Sequence, residues 1–201
     1  MDSLTENIRR AVENSPNGVA RLETLESLQL CDKFTLKTTL SRLGKSNRII
    51  RLKRGVYSSN PIRDAFTAAQ CIYNGYIGFS SALYVHKLIV ELPFIVTVVT
   101  SHKSASTVIG AYGFRAIAMR EKAIGFKNVG GLTVSTRAKT LFDCLYLERY
   151  SIERDKLIEA YKTAKLSQDE LREFDSYAKR FVSKRRRAKF DKIKREIIGK
   201  G

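Results

Sequence analysis

The chain has little cysteine, little histidine and a shortage of acid. Its three cysteines, Cys31, Cys71 and Cys144, are far apart and odd in number, which excludes a disulfide framework and a Cys-x-x-Cys metal site. That usage predicts a reducing, intracellular setting. His86 and His102 are the only histidines, and neither has a cysteine or carboxylate cluster near it, so a zinc site and a Ser-His-Asp triad lack support. Long apolar runs are missing too. The stretch around residues 92–99 is far short of a membrane span, and Met1-Asp2-Ser3-Leu4-Thr5-Glu6 lacks the basic and apolar regions of a signal peptide. A cytoplasmic chain that neither crosses nor docks on a membrane is expected.

The middle of the chain offers only Asp64, Glu91, Glu121 and Asp143 as carboxylates. They form no Asp-x-Asp or Glu-x-Lys pair, which metal-dependent nucleases and nucleotidyl transferases need to hold a divalent cation. Gly78-Phe79-Ser80-Ser81 is better read as a strand-to-helix connection than as a transferase turn. No Gly-x-x-x-x-Gly-Lys occurs, and Gly110-x-x-Gly113 precedes a strand instead of opening a helix. Asp143 sits among apolar neighbours, where pairing with Arg137 or Lys139 on the same helix accounts for it. No catalytic residue, metal or cofactor is expected, and the chain does not read as an enzyme.

What is abundant is positive charge. The 201 residues hold 37 Lys and Arg against 20 Asp and Glu, a formal net charge of +17, which points to a polyanionic partner. With 43% hydrophobic residues, the chain can still bury a core as one large domain or two small ones. The charge is concentrated in two places. Lys33, Lys37, Arg42, Lys45, Arg48, Arg51, Lys53 and Arg54 follow one another with no acid between Asp32 and Asp64. From Lys179 to Arg195 ten cations meet only Asp191.

The first basic run falls in an ordered pattern. Ser3 and Glu6 form a capping box ahead of Leu4, Ile8, Ala11 and Val12, which predicts a helix over 3–14 that Ser15-Pro16-Asn17-Gly18 ends. A short helix follows over 22–30. Phe34, Leu36, Leu40 and Leu43 then form an apolar stripe on a third helix over 34–45. Ile49-Ile50-Arg51-Leu52 and Val56-Tyr57-Ser58 read as strands joined through Lys53-Arg54-Gly55.

Helix, helix, helix and hairpin is the order of a winged helix-turn-helix, expected over residues 1–60. Thr35, Lys37, Thr38, Thr39, Arg42 and Lys45 lie off the leucine stripe and are the expected major-groove residues, with Arg51, Lys53 and Arg54 of the wing on phosphates.

Pro61 marks the next boundary. Helices over 62–73 and 80–88, a strong strand over 94–100, weaker strands over 114–119, 123–126 and 132–134, and a helix capped by Ser135 running to about Tyr150 predict a small mixed α+β domain over 61–150. The remainder, 151–201, is expected to be helical. Ser167 and Glu170 cap one long helix whose stripe thins after Val182, so that it leaves the core and presents Lys184, Arg185, Arg186 and Arg187 to nucleic acid. A mobile, solubilising tail is the alternative, and RNA is an alternative ligand for it. The overall expectation is an α+β chain.

Three stretches together resemble the AbiEi family, antitoxins of type IV toxin-antitoxin systems and their stand-alone relatives. They are Leu40-Ser41-Arg42-Leu43 through Gly55-Val56-Tyr57, Phe79-Ser80-Ser81-Ala82-Leu83-Tyr84-Val85-His86, and Ser135-Thr136-Arg137-Ala138-Lys139-Thr140-Leu141-Phe142-Asp143. The family more often has Pro and Glu where Thr136 and Ala138 stand, and its members usually extend further at the C-terminal end. The resemblance implies a winged-helix domain that binds double-stranded operator DNA and represses its own operon, and a second domain that counteracts a nucleotidyl transferase toxin. A stand-alone transcription regulator without a toxin is the alternative, and a nucleic-acid-processing enzyme comes third. Operators for such modules are often inverted repeats read by two copies, and nothing in the sequence fixes a dimer interface.

Overall fold

The computed structural model describes residues 3–199. The chain divides into two compact units: one runs to residue 74 and includes 108–112, and the other holds 75–107 and continues from 113. The first division therefore falls beyond Pro61.

In the first unit the order is α1 (Leu4–Glu13), a 3-10 turn (Pro16–Gly18), β1 (Val19–Arg21), α2 (Leu22–Ser27), α3 (Lys33–Lys45), β2 (Ile49–Lys53), β3 (Val56–Ser59) and α4 (Ala65–Ile72). The Ser3 hydroxyl accepts the Glu6 N–H at the start of α1. Glu6 does not complete the expected box, because its carboxylate binds Arg9 and Arg48. Ile8, Val12, Ala20, Leu25, Leu36, Leu40, Leu43, Ile49 and Tyr57 form one core. β3 runs antiparallel between β1 and β2, with Val19 opposite Ser58 and Arg51 opposite Tyr57. β1 is too short for alternation to announce it.

Two positions on α3 differ from expectation. Thr39 lies three residues after Leu36 and four before Leu43, so it shares their inner face and is buried. Phe34 is turned about 200° from Leu36 and is 80% exposed, so it does not belong to the apolar stripe.

Residues 76–198 supply β4 (Tyr76–Ile77), α5 (Phe79–Val85), β5 (Ile95–Thr100), β6 (Ala105–Ile109), β7 (Tyr112–Ala118), β8 (Phe126–Val129) and β9 (Leu132–Ser135). The helices α6 (Arg137–Tyr146), α7 (Arg154–Ala164), α8 (Gln168–Phe181) and α9 (Lys184–Ile198) follow. The strands form a mixed sheet of order β6-β7-β5-β4-β9-β8, in which β5 is parallel to β7 and antiparallel to β4. The interior position of β5 explains why Val96 through Thr100 are buried without alternation. The fold class is α+β.

The expected strand over 123–126 is instead irregular backbone over 123–125, which follows a 3-10 turn (Arg120–Lys122) and leads into β8. Thr136, not Ser135, caps α6, since its hydroxyl accepts the Lys139 N–H. Ser135 is drawn into the core, sharing a hydrogen bond of 2.7 Å with the Thr140 hydroxyl. α6 ends at Tyr146, and residues 148–150 form a separate 3-10 turn.

The single long helix expected after Ser167 is two helices, α8 and α9. Extended backbone at Val182 breaks the chain between α8 and α9, and the Ser167–Glu170 capping box forms as expected. α9 does not leave the core: Phe190, Ile193 and Ile197 are buried, with the Phe190 ring 5.8 Å from Phe142 and 6.1 Å from Phe174. Among the described residues no helix is long and apolar enough to cross a membrane.

Candidate nucleic-acid interface

α3 starts firmly because the Asp32 carboxylate accepts the Phe34 and Thr35 N–H groups at 2.9 and 3.0 Å. A hydrogen bond from the Thr35 side chain, then these backbone N–H groups, hold the Asp32 carboxyl below its ordinary range. Thr35 is therefore committed to the cap. At the other end of the segment, Gly55 makes the β2–β3 turn at φ +74°, a conformation that suits glycine. Its carbonyl accepts the Leu22 N–H at 2.8 Å, which ties the hairpin to the start of α2.

Between α3 and the hairpin lies a groove of about 740 Å³. Lys37 and Lys45 reach it from the helix and Arg51 and Arg54 from the hairpin, over a floor that includes Leu40, Gly44 and Tyr57. Glu23 is the one acid on its rim. Among the described residues no acid lies within ion-pair distance of Lys37, Arg42, Lys45, Arg51 or Arg54. The other cations of the run are occupied. Lys33 pairs with Glu26 at 3.0 Å and Arg48 with Glu6 at 2.6 Å. Arg9 above all, and Arg48 with it, hold the Glu6 carboxyl down at about 2. Lys53 leaves the groove and donates to the Ile72 carbonyl at 3.1 Å.

The structure thus gathers Lys37, Lys45, Arg51 and Arg54 into one groove, with Arg42 exposed and Thr38 half-buried on the same helix. Thr39 is a correction: its burial on the core side removes it from any ligand. Ser41 and Gly44 line the groove, although neither carries a charge that marks it in the sequence.

Lys184, Arg185, Arg186 and Arg187 lie in the first turn of α9, in the second unit. Lys184 and Arg185 are exposed. Arg186 stacks over Tyr146 at 5.1 Å and donates to its carbonyl. Arg187 donates to the Lys179 and Val182 carbonyls and so caps the end of α8. Further along, Lys194 pairs with Asp175 at 2.6 Å.

Polar chemistry elsewhere in the second unit is buried. Lys139 and Asp143 form a hydrogen-bonded ion pair one helical turn apart, both fully enclosed. The rings of Phe142, Tyr177 and Tyr76 surround the ammonium at 5.2, 5.7 and 5.9 Å. Burial pushes the Lys139 ammonium down and the Asp143 carboxyl up to about 6, although each attracts the other. His86 is half-buried, with its Nε2 2.6 Å from the Ser135 carbonyl, and His102 is exposed. Burial holds His86 below its ordinary value. Among the described residues no group of three His, Cys, Asp or Glu is placed to hold a metal. All three cysteines are free.

Comparison with known protein families and with curated protein sequences finds no match to this chain.

Proposed function

We propose that the first unit is a winged helix-turn-helix and that the protein is a sequence-specific double-stranded-DNA-binding regulator that represses its own operon. The observation that carries this reading is the groove in which Lys37 and Lys45 of α3 face Arg51 and Arg54 of the hairpin without partner acids. Unpaired cations on a helix and a neighbouring hairpin suit phosphates flanking a major groove, and α3 supplies exposed Arg42 and half-buried Thr38 for base edges. A cytoplasmic location goes with this reading. Selection of bound duplexes from a random-sequence pool by the full-length protein tests it. A recurrent motif is expected, weakened by Lys45→Ala and Arg54→Ala. Recovery of unrelated sequences, or cleavage of labelled DNA or RNA with magnesium, would overturn it.

The antitoxin role within the AbiEi resemblance draws support from one surface of the second unit. Val90 and Phe94, between α5 and β5, are 93% and 98% exposed, as apolar groups awaiting a protein partner would be. Coexpression with a nucleotidyl transferase encoded next door is the test. Rescue of growth lost on Phe94→Asp supports the role, and no rescue by the wild type refers the protein to stand-alone regulators.

A further inference from the structure

Phe34 is the one large apolar side chain on the outward stripe of α3. Phe34, Thr38, Ser41 and Lys45 recur at i, i+4, i+7 and i+11, so they stack along one side of the helix. The other members of that stripe can form hydrogen bonds to base edges or pair with phosphates; a phenyl ring can do neither. It is 80% exposed in the first turn, directly after the Asp32 cap that fixes its backbone. An exposed phenylalanine there adds nothing to the core, whose residues on α3 are Leu36, Thr39, Leu40 and Leu43.

The charge around it decides what can cover it. From Lys33 to Arg63 the chain contains no acid, and Lys37 beside the stripe and Lys45 at its far end are both without an acid partner among the described residues. A second copy using the same face would bring like charges together, whereas a polyanion is attracted. The apolar feature that DNA displays in its major groove is the C5 methyl group of thymine, and residues at the start of a recognition helix are those that reach base edges.

Resting on the DNA-binding reading above, we propose that Phe34 determines specificity by packing against the methyl group of a thymine in the site that α3 reads. The remaining residues of the stripe then read hydrogen-bonding edges or phosphates, and Phe34 adds a preference that they cannot supply.

The test uses the full-length protein and a duplex from its selected motif, in which each thymine is replaced in turn by uracil to remove only the methyl. At one thymine for each bound copy of α3, wild-type binding should weaken about fourfold, which at about 1.4 kcal/mol per factor of ten equals about 0.8 kcal/mol for a buried methyl. Phe34→Ala should bind the thymine and uracil duplexes equally, with a circular dichroism spectrum and melting temperature like those of the wild type, because the side chain is outside the core. Phe34→Leu should keep part of the discrimination. If no uracil position matters, or if Phe34→Ala discriminates as the wild type does, the inference is overturned while the selected motif stands. A shift of Phe34→Ala from dimer to monomer with unchanged DNA affinity would also overturn it, assigning the ring to a second copy. Failure to select any motif refutes the regulator reading itself.

Discussion

Salt dependence gives the groove a quantitative signature. If Lys37, Lys45, Arg51 and Arg54 each neutralise one phosphate, the plot of log affinity against log salt should have a slope of about −3.6, from about −0.9 per contact on B-DNA. Raising salt from about 50 to about 200 mM should then weaken binding about 150-fold. The double change Arg51→Ala/Arg54→Ala should halve the slope to about −1.8, so that the same rise costs about 12-fold. Lys53→Ala is the internal control, because its ammonium is engaged by the Ile72 carbonyl and points out of the groove. Its slope should match the wild type, although Lys53 sits on the hairpin between the two arginines. Fluorescence anisotropy of a labelled duplex over a series of potassium chloride concentrations reads these three proteins and the single variant Arg54→Ala. An unchanged slope for the double variant would refute the groove as the phosphate site, and a loss for Lys53→Ala equal to that for Arg54→Ala would refute the placement of these side chains.

The enclosed Lys139–Asp143 pair gives a stability prediction: Lys139→Met or Asp143→Leu alone should cost about 3–5 kcal/mol in urea unfolding by leaving one buried charge unpaired, and the double change should cost less than either. Additive losses would contradict it. Burial holds the Asp143 carboxyl at about 6 when folded, above its unfolded value. The folded state therefore binds that proton more tightly, a contribution complete below the unfolded value and lost as pH rises through about 6. The wild type should accordingly lose stability relative to Asp143→Asn between about pH 4 and about pH 6, and a flat or rising difference would contradict the sign. Gly55→Ala, placing a side chain at φ +74°, should cost about 1–2 kcal/mol and weaken DNA binding. Gly44→Ala, where an added methyl meets nothing within 4 Å, should raise stability by about 0.5–1 kcal/mol, and a loss there would show a tighter groove than described.

The helices of the first unit were legible because their leucines repeat at helical spacing and Asp32 supplies a cap. Thr39 and Phe34 show the limit of residue type as a guide. Position relative to Leu36 and Leu43 buries the threonine and exposes the phenylalanine, so geometry overrides polarity at both. β1 and β4 were missed because strands of three and two residues carry no alternation. The α8–α9 break was hidden because Val182 continues the apolar pattern while its backbone leaves the helix. The basic run was plain in the sequence, but its division was not. Arg48 is neutralised by Glu6, 42 residues away, and Lys53 is held by a hydrogen bond to a carbonyl on α4, both of which depend on tertiary placement. Asp143 paired with Lys139 as their spacing on one helix suggests.

Footprinting of the DNA upstream of the protein's own gene, with and without excess competitor DNA and at two salt concentrations, tests the central claim most directly. A bounded protected site that survives competitor and is lost with Arg51→Ala/Arg54→Ala is expected. Diffuse protection that competitor abolishes at either salt concentration would contradict it, leaving charge alone as the source of binding.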